Sequence, residues 1–303
     1  MRWLLLFLLL CGALPVRAGE VLRVTWKTTH AAAPPQFSRP AADFLPMFRL
    51  ALTTLPESAI VALALSQPAM LGLTPAQAAM MRPLVAERYA LIAKSPAYSG
   101  VGSALPYCFG EKRSQEGLAL VHVPTGVDAR TPVLLFLHGY GGSFLWYQHL
   151  LAEHFGNHII ICPAHGINTS TLSSEYVQEC VAAVGLRLGR PVVKPVLLGL
   201  SAGGTGACDV YTKHPERFDR LICMAAYPPE DLLLKFPRDT KAAFIAGGSE
   251  YFVKSGDFAR RIAKVREVAP TTQAFTVPQA DHFFLLSHTA QTMAKLSEWM
   301  PRP

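Results

Sequence analysis

The chain has 303 residues, of which 50% are hydrophobic, so it is long enough to bury a sizeable core in one large domain or a domain with an appendage. Its formal net charge is +7 at pH 7, but the Lys and Arg residues form no long cluster. This mild, scattered charge argues against a nucleic-acid-binding surface and predicts an ordinary solvated one.

The first 18 residues have the three-part layout of a secretory signal peptide. Arg2 gives a positive start, an unbroken apolar run extends from Trp3 to Leu10, and Ala18 is a small residue suited to cleavage. The run is too short to span a membrane. We expect cleavage after Ala18, export to the periplasm or beyond, and no integral membrane segment in the mature chain. A lipoprotein site at Cys11 is the alternative, although the preceding leucine is larger than such sites usually tolerate.

Removing residues 1–18 lowers the formal net charge to +5 and leaves five cysteines, none of them in a C-x-x-C pair. Zinc and redox motifs are therefore not predicted. Export permits disulfides, but the odd number of cysteines leaves at least one thiol free. Cys162 lies in an apolar strand pattern and is expected in the core.

Residues 19–107 are rich in Ala, Leu, Met and Pro and are predicted to form an N-terminal helical extension. A strand pattern at Val21–Trp26 and a proline-containing linker at 31–35 come first. The predicted helix at 75–94 has the best start signal, a capping box formed by Thr74 and Gln77. The extension either packs on the main domain or acts as a lid. The two other predicted helices span 41–52 and 57–65.

In the remaining stretch, assigned to a catalytic domain at 108–303, apolar strand patterns alternate with helical patterns. This alternation predicts an α/β fold with a doubly wound, mostly parallel sheet covered on both faces. Ligands in such sheets bind outside the carboxyl ends of the strands. The predicted strands span 117–123, 132–137, 158–162, 192–198, 220–225, 242–246 and 273–277, and the helices between them include 143–153, 175–188 and 258–268.

The pentapeptide Gly199–Gly203 has the pattern G-x-S-x-G between an apolar strand and a small-residue helix. A serine in so sharp a turn needs very small neighbours and is exposed at the positive end of a helix. Ser201 is therefore the candidate nucleophile.

A base should follow the last strand, and His282 lies just past the predicted strand 273–277. His214, at the exit of the helix after the serine, and His288, on the final helix, are the less favoured candidates. All three follow Ser201 in the chain.

The acid should follow the penultimate strand, and Glu250 comes directly after the strand 242–246 and a glycine turn. Asp257, seven residues later, is the alternative acid. A carboxylate at either position would orient the imidazole of His282.

An oxyanion hole needs one N–H from the residue after the nucleophile, Ala202, and another from a loop after an earlier strand. The glycine-rich stretch 137–142 supplies that loop, with Tyr140 or Gly141 as the donor. His138 is predicted to brace the loop. The aromatic residues at 144, 146 and 147 either line an apolar substrate site or belong to the core.

Three stretches resemble one group of proteins: Gly-Leu-Ser-Ala-Gly-Gly at 199–204, His-Pro-Glu-Arg-Phe at 214–218 and Leu-His-Gly-Tyr-Gly-Gly at 137–142. From about residue 115 onward the chain resembles the α/β-hydrolase superfamily, and within it the polyhydroxybutyrate-depolymerase, feruloyl-esterase and prolyl-oligopeptidase-like serine esterases. Glu250, where that group commonly has Asp, and Asp281, where a glycine is frequent, depart from its pattern and leave the acid open between Glu250 and Asp257.

The resemblance implies hydrolysis of a small-molecule or polymeric ester through a Ser-His-Glu/Asp triad, with no metal or organic cofactor. A serine peptidase of prolyl-oligopeptidase type is the alternative enzyme. The alternative from another class is a catalytically silent binding protein on the hydrolase scaffold, which predicts that a triad member is missing.

Overall fold

The computed structural model of the protein describes residues 19–31, 45–110, 115–167 and 172–301. The predicted signal peptide, the alternative at Cys11, most of the predicted linker and the first residues of the predicted helix 41–52 lie outside these ranges. Within them, none of the helices is both long enough and apolar enough to cross a membrane.

The described residues form one eight-stranded sheet. Its strands are β1 (Glu20–Lys27), β2 (Glu116–Val123), β3 (Val133–Leu137), β4 (Ile159–Pro163), β5 (Val196–Leu200), β6 (Arg220–Met224), β7 (Ala242–Gly247) and β8 (Gln273–Val277). The spatial order is β1-β2-β4-β3-β5-β6-β7-β8. β2 pairs antiparallel with β1 and β4, whereas the remaining pairs are parallel. The predicted mostly parallel α/β sheet is confirmed.

The helices connect the strands and cover the sheet. They are α1 (Leu45–Thr54), α2 (Glu57–Ser66), α3 (Pro75–Lys94), α4 (Leu105–Cys108), α5 (Leu145–His154), α6 (Ser174–Leu188), α7 (Ala202–Lys213), α8 (Tyr251–Lys254), α9 (Asp257–Val268), α10 (Phe284–Ser287) and α11 (Thr289–Trp299). β5 begins at Val196, four residues later than predicted. Lys194 adopts a positive φ of 43°, and Pro195 has no N–H to donate to a neighbouring strand, so regular pairing starts after them.

The core has two halves, one on each face of the sheet. Along β3, Leu134 and Phe136 pack in one apolar cluster, and Leu135 and Leu137 pack in the other, because successive side chains of a strand point to opposite faces. All five β3 residues are buried, which explains the continuous apolar run in the sequence. Because β3 and β5 to β8 run parallel, their carboxyl ends meet at one edge of the sheet.

The stretch 19–107 contributes to the sheet as well as supplying helices. β1 pairs with β2 over eight residue pairs, so the sheet begins before residue 108. Leu65 of α2 and Val85 and Ile92 of α3 belong to the same apolar cluster as Leu134 and Phe136. The helices are therefore packed against the main core, and the division at residue 107 stays a prediction about domains.

α3 begins with the predicted capping box. The N–H of Gln77 donates to Thr74 Oγ1 at 3.2 Å, and the N–H of Thr74 donates to Gln77 Oε1 at 3.0 Å. The two bonds satisfy backbone donors that a helix start otherwise leaves without partners.

Candidate active site

Ser201 lies in the turn between β5 and α7. Its φ of 52° and ψ of −119° form a conformation that residues with side chains rarely adopt. Its N–H donates to the carbonyl oxygen of Met224 at 2.8 Å, and its own carbonyl oxygen accepts the N–H groups of Gly204 and Thr205. These bonds hold the strained turn, which places the hydroxyl at the N-terminus of α7.

The glycines around Ser201 are required by the close approach of backbone segments. A Cβ on Gly199 would lie 2.4 Å from the carbonyl oxygen of Gly203, and a Cβ on Gly203 would lie 2.2 Å from that of Leu137. Neither position has room for a side chain. Packing therefore explains both glycines of the G-x-S-x-G pattern.

Ser201, His282 and Glu250 form one continuous chain of hydrogen bonds. Ser201 Oγ is 2.8 Å from His282 Nε2, and His282 Nδ1 is 2.6 Å from Glu250 Oε2. The other carboxylate oxygen, Glu250 Oε1, accepts the N–H of Gly247 at 2.8 Å. Because a carboxylate only accepts, we assign the proton to Nδ1, which leaves Nε2 to accept from the serine hydroxyl.

The turn that carries Glu250 packs directly on the loop that carries His282. A Cβ on Gly247 would lie 2.4 Å from the carbonyl oxygen of Asp281 and 2.6 Å from that of Ala280. The Glu250 side chain is 3% exposed and that of His282 is 39% exposed. The carboxylate is thus shielded from water, whereas the imidazole remains within reach of a substrate.

Asp257, the alternative acid, lies at the first position of α9 and is paired elsewhere. Its Oδ1 accepts from Arg260 at 2.6 Å and its Oδ2 from Arg261 at 2.9 Å. These bonds hold the pKa of the Asp257 carboxyl below its ordinary value, with the bond to Arg260 the largest cause. The structure therefore brings Glu250, and not Asp257, to His282.

The two less favoured base candidates, His214 and His288, are not part of this hydrogen-bond chain. His214 is the residue after α7, and His288 lies between α10 and α11 with its Nδ1 2.9 Å from the hydroxyl oxygen of Ser287.

Residues 138–143 follow β3 and lie against Ser201, and we name them the oxyanion loop after the role predicted for the stretch 137–142. A Cβ on Gly139 would be 3.3 Å from Ser201 Cβ. The N–H of Gly141 already donates to the carbonyl oxygen of Ile167 at 3.3 Å, which leaves Tyr140 as the predicted donor from this loop. Ala202 is the first residue of α7, where N–H groups have no acceptor within the helix.

His138 contacts the backbone of the oxyanion loop through a buried ring. Its ring is fully buried and stacks on that of His165, with ring centroids 3.6 Å apart. Its Nδ1 lies 2.8 Å from the carbonyl oxygen of Gly139. Burial lowers the pKa of His138 to about 4, so the ring is neutral at pH 7. The predicted structural role of His138 is consistent with these contacts.

The sequence model of the alpha/beta hydrolase fold matches residues 132–288, a range that contains Ser201, Glu250 and His282 and just over half of the chain. The chain belongs to the α/β-hydrolase fold family. The predicted superfamily and fold class are confirmed, and hydrolysis is the general activity that this membership supports.

Similar solved structures include an α/β-hydrolase enzyme from a Medee basin deep-sea metagenome library, which is 11% identical with a TM-score of 0.50 and aligns over 63% of this chain and 97% of that one. A thermostable esterase is 14% identical with a TM-score of 0.48, over 61% of this chain and 59% of that chain. A predicted CIB-like hydrolase from Thermoplasma acidophilum is 15% identical with a TM-score of 0.47, over 61% and 91%. At 11% identity and a TM-score of 0.50, the likeness to the metagenome enzyme is one of fold. No match was found among curated proteins.

This α/β-hydrolase has a cavity of about 350 Å³ beside Ser201. Tyr227 and Arg261 line it, with the guanidinium of Arg261 4.7 Å from the centroid of the Tyr227 ring. Sequence reasoning missed Arg261, because a basic residue on an amphipathic helix usually indicates only a solvated face. Of the aromatic residues at 144, 146 and 147, Trp146 and Tyr147 belong to the core.

Across the described ranges, no group of three or more His, Cys, Asp or Glu side chains is arranged to hold a metal ion.

Proposed function

We propose that the protein is a serine hydrolase that cleaves carboxylic esters by acyl transfer. The observation that carries the proposal is the hydrogen-bond chain from Ser201 Oγ through His282 to Glu250, with contacts of 2.8 and 2.6 Å. Such a chain gives an otherwise weak nucleophile a base and gives the base an orienting carboxylate.

In the acylation step, Ser201 Oγ attacks the ester carbonyl carbon while His282 Nε2 takes the hydroxyl proton. Glu250 accepts from Nδ1 and stabilises the imidazolium that forms. The imidazolium then gives its proton to the leaving alcohol as the C–O bond breaks. An acyl-enzyme on Ser201 remains.

Two backbone N–H groups, those of Ala202 and Tyr140, donate to the negative oxygen that develops during the attack. These N–H groups stabilise the transition state effectively because the strained turn and the braced loop hold them in place before the reaction. Deacylation repeats the sequence with water in place of the serine hydroxyl, and His282 again transfers the proton.

Two features support the proposal of small or polymeric esters, rather than peptides, as substrates. The link between β6 and β7 runs only from residue 225 to 241, and it contributes Tyr227 to the cavity wall beside Ser201 without forming a large cap. The described residues 45–108 form helices packed on the core, and none of them forms the propeller with which a prolyl-oligopeptidase-type peptidase selects peptides. A silent binding protein would be expected to lack a triad residue, and all three are present. Export stays a prediction from the sequence.

The test is the hydrolysis of p-nitrophenyl acetate and butyrate by the wild-type enzyme and Ser201→Ala. We expect kcat/KM to fall by at least about 10³-fold in the variant, because the nucleophile is lost. Ser297→Ala, which removes a hydroxyl bonded to the Met293 carbonyl oxygen of α11, is the matched control and should keep wild-type activity. Equal rates for the wild-type enzyme and Ser201→Ala would refute the proposal.

A further inference from the structure

Glu57, the first residue of α2, is a buried carboxylate far from the triad in sequence. It is 4% exposed. Its Oε1 accepts the hydroxyl of Tyr89 at 2.7 Å and the backbone N–H of Leu145 at 2.6 Å, and its Oε2 accepts the hydroxyl of Ser103 at 2.5 Å. Three donors from three separate parts of the chain therefore converge on one side chain.

The bond to Leu145 connects Glu57 with the oxyanion loop. Leu145 is the first residue of α5, two residues after the loop ends at Ser143. The first N–H groups of a helix have no acceptor within it, and Phe144, the residue before α5, makes no capping bond through its side chain. Glu57 thus caps α5 from another segment, and its ionised form places a negative charge at the positive end of that helix.

A second contact from the same segment holds the loop itself. Ser103, which donates to Glu57, accepts the N–H of Leu105 at the start of α4. Cys108, at the end of α4, accepts the N–H of Ser143 through its sulfur at 3.3 Å. A Cβ on Gly142 would lie 2.7 Å from Leu105 Cδ2, so α4 is in close contact with the loop.

Burial of this carboxyl is costly, which makes a purely stabilising role a poor explanation for it. Burial raises the pKa of Glu57 to about 7, and the three hydrogen bonds only partly offset this effect. An apolar side chain at this position would avoid the desolvation cost of the carboxyl, although it would leave the donors of Tyr89, Ser103 and Leu145 without an acceptor. The benefit of Glu57 should then lie in the geometry that it imposes on its partners.

We propose that Glu57 is a positioning residue for the oxyanion hole, acting through the N–H of Leu145 to fix the end of the oxyanion loop and thereby the donor at Tyr140. This inference rests on the proposed acyl transfer at Ser201. It makes part of the N-terminal helical segment necessary for catalysis, although that segment supplies no member of the triad.

The test compares Glu57→Leu, Glu57→Gln and Ile92→Ala. Glu57→Leu removes the acceptor and keeps the volume, whereas Glu57→Gln keeps a carbonyl oxygen for Leu145. Ile92→Ala is the matched control, since it removes buried apolar volume from α3 of the same segment and leaves Glu57 and its three hydrogen-bond donors unchanged. The readouts are kcat and KM for p-nitrophenyl butyrate, the Ki of a trifluoromethyl ketone and the melting temperature by circular dichroism. The ketone forms a tetrahedral adduct with the serine, and its oxyanion occupies the hole.

For Glu57→Leu we expect kcat to fall about 10- to 100-fold, KM to change less than about threefold and the ketone Ki to rise by about the same factor as kcat falls. Glu57→Gln should retain kcat within about threefold. Ile92→Ala should lose melting temperature while keeping kcat and Ki.

The proposal is overturned if Glu57→Leu and Ile92→Ala show the same kcat and ketone Ki at a temperature where both are folded. If Glu57→Leu does not fold, Glu57→Asp replaces it, because the shorter side chain withdraws the acceptor from Leu145, and the same expectations apply. Failure of the proposed function itself would give a different result. In that case the ketone would not inhibit the wild-type enzyme, and Ser201→Ala would hydrolyse the ester as fast as the wild-type enzyme does.

Discussion

At the level of single residues, the chemistry of the site depends on which carboxylate contacts His282. Glu250 and Asp257 both follow β7 and differ in their partners. Glu250 accepts from the Gly247 backbone and from His282, whereas Asp257 is surrounded by the guanidinium groups of Arg260 and Arg261. One carboxylate is thus available to orient an imidazole, whereas the other is paired with the exposed Arg260 and with the mostly buried Arg261 of the cavity wall.

This difference predicts opposite outcomes for Glu250→Gln and Asp257→Asn. An amide in place of Glu250 can donate to His282 Nδ1 and so favours the tautomer in which Nε2 carries the proton. That tautomer cannot take the proton of Ser201, so we expect kcat for p-nitrophenyl butyrate to fall about 10³- to 10⁴-fold. Asp257→Asn should keep kcat within about twofold and cost at most about 1 kcal/mol of stability. Loss of activity in Asp257→Asn, with Glu250→Gln active, would exchange the two assignments.

At the level of elements, the start of α3 contacts the loop that carries His282, the proposed base. Gln77 Nε2 donates to Asp281 Oδ2 at 3.1 Å, and Asp281 Oδ1 accepts the N–H of Phe283 at 2.9 Å. Asp281 and Phe283 flank His282 in the chain. The capping box of α3 therefore does more than begin a helix, because its glutamine also anchors the His282 loop.

Two variants of the capping box separate these roles. Thr74→Ala and Gln77→Ala each break the box and should each lower the free energy of unfolding by about 1 kcal/mol. Gln77→Ala also removes the bond to Asp281, so we expect a kcat roughly three- to tenfold below that of Thr74→Ala. Urea unfolding gives the first quantity, and p-nitrophenyl butyrate turnover gives the second. Equal kcat values for the two variants would show that the Asp281 contact does not position His282.

At the level of the whole molecule, the elements that carry local sequence signals were predictable. The sheet class follows from alternating apolar runs, Ser201 from its glycines, and His282 from its position after the last strand, whereas the sequence left the acid open between Glu250 and Asp257. Each of these signals comes from one short stretch, and the chain order of the fold connects them.

No short sequence pattern predicted the tertiary contacts of Glu57 and Gln77. Glu57 opens an apolar helix, where an acidic residue is favourable for the helix dipole alone. Gln77 completes a capping box, which accounts for it locally. Their partners Leu145 and Asp281 lie 88 and 204 residues away in the chain. Only tertiary packing brings these pairs together, so a single sequence could not reveal them.

Packing also gives the molecule buried groups whose effects on stability oppose one another as the pH changes. Burial lowers the pKa of His138 to about 4, so the folded state binds fewer protons there than the unfolded state, and this stability is lost as the pH falls below 6.5. Burial raises the pKa of Glu57 to about 7, so the folded state binds more protons there. The contribution of Glu57 is fully present below its ordinary pKa of 4.5 and is lost as the pH rises through 7.

The difference in unfolding free energy between Glu57→Gln and the wild-type enzyme isolates the contribution of Glu57 to the pH dependence of stability. The partners of Glu57 do not titrate in this range, because burial raises the pKa of Tyr89 above its ordinary value and that of nearby Cys108 to about 12. From pH 4.5 to 8 we expect the variant to gain about 3 kcal/mol relative to the wild-type enzyme, since a neutral glutamine is not penalised by burial as a carboxylate is. Urea unfolding at half-unit pH steps measures this difference.

Ile92→Ala, which changes no titratable group, is the control and should show a constant difference in unfolding free energy from the wild-type enzyme over the same pH range. A constant difference for Glu57→Gln as well would mean that Glu57 does not change its proton binding on folding.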